Sequence, residues 1–255
     1  MNRTALAVAM ASAVITAACS PPRGAENHAD PWLRGRLTFR PVAAADSVPR
    51  PFPSGLHPVF ADEPDGAMVY APASAETKTR VPLVVFLHGA GMSAGIITRL
   101  TDAAEQTATI VVAPKSVDVT WDAMRGAVGP DVENIDRVLN RVARMYAIDP
   151  ARISIAGFSD GATYALALGR LNGTLFRNIV AFSPGILIPV DSRGSPPIFI
   201  SHGTSDTIIP IEMASRRFVP ELRRQGYSVE YHEFAGPHAV PPDIAALAMR
   251  WIAER

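Results

Sequence analysis

The strongest constraint on this chain is a series of five short, nearly unbroken apolar runs. Residues 81–87 read Val-Pro-Leu-Val-Val-Phe-Leu and stop at His88-Gly89. Residues 110–114, 153–156, 179–182 and 198–201 repeat the pattern at shorter length. Runs of this kind suit strands buried on both faces of a parallel sheet. Residues 228–234 alternate apolar and polar side chains, as an edge strand does, and residues 67–70 are expected to pair at the opposite edge. Helical patterns lie between the runs. Val132, Ile135, Val138, Leu139, Val142 and Met145 form one apolar stripe. Residues 162–171 are rich in Ala and Leu, and residues 212–225 and 243–253 complete the set, the last opening at Pro241-Pro242. Strand and helix alternating in this way predict an α/β architecture: a mostly parallel, twisted sheet with helices on both faces. The connections are short, which leaves no room for a large lid.

Composition narrows the function. Hydrophobic residues make up 48% of the 255 and charged residues 19%, ample for a sizeable core. Twenty-three prolines and 18 glycines argue against a helical bundle. The formal net charge is zero, so the basic excess that neutralises phosphates is missing and nucleic-acid binding drops away. One cysteine excludes an internal disulfide framework and a multi-cysteine zinc site.

The first residues read as an address. Residues 1–18 carry Arg3 and then an apolar run too short to span a bilayer, which takes about 20 apolar residues. This is the pattern of a signal peptide. Cys19 follows Thr16-Ala17-Ala18 in the manner of a bacterial lipobox, although Thr16 departs from the usual Leu. Two readings follow: export with lipid attached at Cys19, hence attachment to a bacterial membrane, or plain export to the periplasm or beyond. Residues 19–54 are rich in Pro and Ala and read as a tether, with Trp32, Leu33, Leu37 and Phe39 expected to touch the domain. Residues 55–255 form the catalytic domain on this reading.

Three spots carry chemistry. Gly157-Phe158-Ser159-Asp160-Gly161 is Gly-x-Ser-x-Gly directly after a strand and directly before a helix. That context pushes the serine hydroxyl out on a sharp turn at the sheet's carboxyl edge. His202-Gly203-Thr204-Ser205-Asp206 follows the fifth apolar run, and Gly236-Pro237-His238 follows the last strand. Alone, Asp206 reads as a turn aspartate and His238 as a solvated loop histidine. Together, Ser159, Asp206 and His238 stand in the chain order nucleophile, acid, base, each just past a strand end. Ala90, in His88-Gly89-Ala90-Gly91, and Asp160 are placed to give two backbone N–H groups to an oxyanion hole. His88 and His202 are assigned structural roles, His202 as part of the turn that shapes the Asp206 loop.

The stretches LHGAG, GFSDGA, HGTSD before Pro210, and GPH resemble those of the bacterial phospholipase/carboxylesterase group of α/β-hydrolases. Poly(3-hydroxybutyrate) depolymerase-like and feruloyl esterase-like proteins are also similar. The resemblance covers about residues 65–255. Pro237 stands where many relatives have Gly, which bears on loop shape and not on the base. The resemblance implies the α/β-hydrolase fold, a Ser159–His238–Asp206 triad, and hydrolysis of small-molecule or polymeric carboxylic esters through an acyl-enzyme. It implies no metal and no organic cofactor. It also implies that Trp121 lines the acyl pocket, with ordinary packing as an equal alternative. Two further readings stay open: a peptidase akin to the prolyl oligopeptidase group, and a non-catalytic binding protein on a hydrolase scaffold.

Overall fold

The computed structural model describes residues 35–41, 53–63, 66–77 and 80–255. The signal segment, Cys19, Trp32, Leu33 and most of the tether lie outside the described residues. Among the described residues eight strands form one sheet: β1 (Gly55–Pro58), β2 (Met68–Ala71), β3 (Val81–Leu87), β4 (Ile110–Ala113), β5 (Ile148–Phe158), β6 (Asn178–Phe182), β7 (Ile198–Gly203) and β8 (Val229–Phe234). They lie in the order β1-β2-β4-β3-β5-β6-β7-β8. From β4 and β3 across to β8 every pairing is parallel, while β1 and β2 join antiparallel at one edge. The sheet is the mostly parallel one expected. One edge differs: the strand anticipated at residues 67–70 is second from the edge, and Gly55–Pro58 lies outside it. Two of those four residues are Gly and Pro, which sequence patterns do not count toward a strand.

The helices are α1 (Thr101–Thr107), α2 (Pro130–Ala143), α3 (Asp160–Leu171), α4 (Ser215–Arg224) and α5 (Pro242–Ala253). They cover both faces. On β3 the alternation is direct: Val81, Leu83, Val85 and Leu87 pack with α2, α3 and α4, whereas Val84 and Phe86 pack with α1 and α5. The helix expected at residues 212–225 is split. Ile211–Met213 forms a separate 3₁₀ turn, and α4 starts at Ser215 after Ala214 leaves helical geometry.

Residues 35–41 run along the domain surface rather than away from it. Leu37 and Phe39 are buried, as expected of them. The Asp136 carboxylate on α2 accepts the backbone N–H of Thr38 at 2.7 Å and that of Phe39 at 2.9 Å. Asn172, just past α3, accepts from Leu37 N–H at 3.0 Å and donates to the Gly35 carbonyl at 2.9 Å.

Candidate active site

Strand β5 ends at Phe158 and α3 begins at Asp160, so Ser159 alone makes the turn. Its backbone sits at φ 57°, ψ −121°, a region that L side chains seldom adopt. The bend closes because its flanks lack side chains. A Cβ on Gly157 would lie 2.1 Å from the Gly161 carbonyl oxygen, and one on Gly161 would lie 2.2 Å from that of Leu87. The Ser159 N–H donates to the Phe182 carbonyl of β6 at 2.9 Å, and its own carbonyl accepts from Ala162 and Thr163. The hydroxyl is left at the carboxyl edge of the sheet.

Asp206 and His238 meet there. His238 Nδ1 lies 2.6 Å from Asp206 Oδ2. An ionised carboxylate only accepts, so Nδ1 carries the hydrogen and Nε2 of the neutral ring is free to take a proton. Asp206 Oδ1 accepts the backbone N–H groups of Ile208 at 2.9 Å and Ile209 at 2.8 Å. Burial pushes this carboxyl upward, but the N–H donors and His238 outweigh it and hold the group below the usual carboxylate range. The two loops are zipped together by backbone bonds, Thr204 N–H to Phe234 O at 2.8 Å and Ser205 N–H to Gly236 O at 3.0 Å. Gly203 permits that approach, since a Cβ there would lie 2.4 Å from the carbonyl oxygens of both Gly236 and Pro237.

The His238 ring packs on Phe158, the residue before Ser159, with centroids 4.6 Å apart. Among the described residues no hydrogen bond joins the Ser159 hydroxyl to His238; Phe158 adjoins the serine in the chain and the imidazole in space.

The loop after β3 lies against the elbow. A Cβ on Gly89 would come within 3.2 Å of Ser159 Cβ, so the missing side chain lets the loop close in. His88 is fully buried. Its Nε2 accepts the Ser116 N–H at 2.9 Å, which leaves Nδ1 to donate to the Gly89 carbonyl at 2.8 Å. Burial pushes this imidazole down, in keeping with a neutral ring. The pinned carbonyl belongs to the peptide whose N–H is that of Ala90, and across a trans peptide the two point oppositely. His88 therefore fixes the direction of the Ala90 N–H. Asp160 has its side chain tied back by Thr120 Oγ1 at 2.7 Å, while its backbone N–H sits at the head of α3.

Trp121 takes the packing alternative. It is fully buried, stacked on Tyr164 at 5.3 Å, and donates its indole N–H to the His88 carbonyl at 2.8 Å. No face of the ring is open to a ligand, so the pocket-lining reading is corrected. Below it lies a pair that sequence reasoning missed, Asp122 and Asp131. Asp131 accepts from the N–H groups of Val117 and Asp122, and Asp122 from those of Gly129 and Asp131 and from the Tyr164 hydroxyl. They staple the 116–129 loop to the start of α2 beside the site. Their only signal was two acids in a Gly- and Pro-containing loop.

Comparison with known proteins agrees with this architecture. Residues 129–252 match the family described as Phospholipase/Carboxylesterase. Feruloyl esterase C of Emericella nidulans is 28% identical over 112 residues, 44% of this chain and 40% of that protein. A bifunctional acetylxylan esterase/xylanase of Neocallimastix patriciarum is 24% identical over 147 residues, 55% of this chain and 21% of that protein. The chain thus spans less than half the length of either relative. Among solved structures, esterase PE8 superposes with a TM-score of 0.58 at 23% identity, over 73% of this chain and 96% of that one. The fold and strand order are those of the α/β-hydrolases, and the second half of the chain is similar to the phospholipase/carboxylesterase family.

Proposed function

We propose that this protein is a serine hydrolase of carboxylic esters. The observation that carries the reading is the 2.6 Å contact of His238 with Asp206 beside a serine held at positive φ on a strand-to-helix turn. In this mechanism His238 Nε2 takes the Ser159 proton as the oxygen attacks the ester carbonyl. Asp206 holds the ring tautomer and stabilises the imidazolium. The N–H groups of Ala90 and Asp160 stabilise the tetrahedral oxyanion, each worth about 3 kcal/mol in the transition state. His238 then protonates the leaving alcohol, and water cleaves the Ser159 acyl ester by the same steps in reverse.

The surface around the site supports an ester with an apolar portion. Met92, Val117, Val119, Ile186, Ile208 and Met213 are all exposed, on segments that follow the carboxyl ends of β3, β4, β6 and β7. Aromatic acyl groups, such as those named for the feruloyl esterase relative, and medium-length aliphatic acyl groups both suit such a rim. Nitrophenyl esters of rising acyl length test the whole reading. Turnover by wild type is expected to improve beyond acetate, and Ser159→Ala to lower it roughly 10⁴- to 10⁶-fold. Near-wild-type hydrolysis by Ser159→Ala would overturn the assignment.

The proposal extends to location: residues 1–18 direct export and Cys19 receives lipid. Metabolic labelling with a palmitate analogue is expected to mark the wild type and not Cys19→Ala. Equal labelling of the two would contradict it.

A further inference from the structure

The acid loop holds a second imidazole that the mechanism above does not use. His202 is the penultimate residue of β7, and its side chain is fully buried. Its Nε2 is 2.8 Å from the Ile209 carbonyl oxygen and 3.2 Å from Asp206 Oδ2, the same carboxylate oxygen that receives His238. Both oxygens only accept, so Nε2 carries the hydrogen. Nδ1, 2.7 Å from Ser215 Oγ, then accepts the serine hydroxyl proton. Burial pushes this imidazole down, which agrees with a neutral ring. The other charged or titratable groups facing it are Asp206, His238 and Glu233, the last opposite in register on β8 and itself paired with Arg216.

We propose that His202 is a positioning residue for the Asp206–His238 pair, sharing its Nε2–H between the Ile209 carbonyl and Asp206 Oδ2. Asp206 then accepts from Ile208 and Ile209 on one oxygen and from His238 on the other, with the His202 Nε2–H, directed mainly at Ile209, 3.2 Å from that second oxygen. Two consequences follow. The carboxylate cannot rotate away from His238. And Oδ2, divided between two donors, stabilises the His238 imidazolium less than an unshared oxygen would. Ser215 acts one step further out, by fixing which nitrogen of His202 bears the proton.

This inference rests on the reading that Ser159, His238 and Asp206 act as one relay, and its test keeps the two apart. The full-length protein is measured as kcat and KM against pH for wild type, His202→Leu, His202→Gln and Ser159→Ala. His202→Leu removes the shared donor. It is expected to lower kcat roughly 10- to 100-fold at unchanged KM and to move the acid limb of kcat/KM upward by about half a pH unit or more. His202→Gln, which can return an N–H to the Nε2 position, is expected to recover most of both. An acid limb unmoved in His202→Leu, or a Gln variant no better than Leu, overturns the role of His202. Activity that survives Ser159→Ala overturns the relay instead. Imidazole ¹⁵N NMR of the wild type needs no variant to fold. A neutral His202 with its proton on Nε2 between pH 5 and 8 supports the proposal, and the Nδ1–H tautomer or a charged ring contradicts it.

Discussion

Strain at one residue is the clearest local signature of function here. Holding Ser159 at φ 57° costs on the order of 1–3 kcal/mol, and only a surrounding structure that over-determines the turn keeps it there. Glycine adopts such angles freely. Ser159→Gly is therefore expected to abolish turnover and yet to unfold at higher denaturant than Ser159→Ala, by about 1 kcal/mol. Urea melts of the two variants check this, and equal midpoints would mean that the turn is unstrained. The strain was not itself visible in the sequence. What was visible was its accommodation, glycine at 157 and 161, where any side chain would meet backbone. Asp206 and His238 were legible only as members of an ordered set, since each alone is an ordinary loop residue. Trp121 misled because a tryptophan near a site resembles a pocket wall, while its burial depends on Tyr164, far away in sequence. The Asp122–Asp131 pair and the tautomer of His202 were illegible for the same reason: their partners are backbone groups and hydroxyls that only the folded chain brings near.

At the scale of elements, apolar density decided what could be foreseen. The five core strands and α2 announce themselves because nearly every inward position is branched or large. Helix α1 did not, for its buried residues are two alanines, Ala103 and Ala104, in an otherwise polar heptapeptide. The segment at residues 35–41 lies between these extremes. It has no regular structure beyond Gly35, yet it anchors through two buried apolar side chains and four backbone groups bound to Asp136 and Asn172. Residues 35–41, placed in the tether by the sequence, pack against the domain. Phe39, 1% exposed within the α2–α3 side of the core, gives the test. Phe39→Ala is expected to cost about 3 kcal/mol of stability by chemical denaturation. An unchanged midpoint would show the segment to be a loosely held linker.

For the molecule as a whole, the sheet acts as a frame that delivers distant side chains to one rim. The candidate nucleophile comes from the end of β5, the proposed acid from the loop after β7, the proposed base from the loop after β8, and the proposed oxyanion donors from the ends of β3 and β5. Parallel strands put all those ends on the same side, which is why a chain order of residues can become a constellation. Among the described residues the exposed large apolar side chains other than Leu56 lie on segments that follow strand ends on that side, and zero net charge adds no long-range steering of charged substrates. The most direct measurement of the central claim is reaction of the folded protein with a fluorophosphonate, followed by peptide mass spectrometry. One adduct per chain is expected, on the peptide containing Ser159, and His238→Ala should slow its formation by orders of magnitude while the protein stays folded. An adduct elsewhere, no adduct at all, or labelling indifferent to His238 would contradict the account.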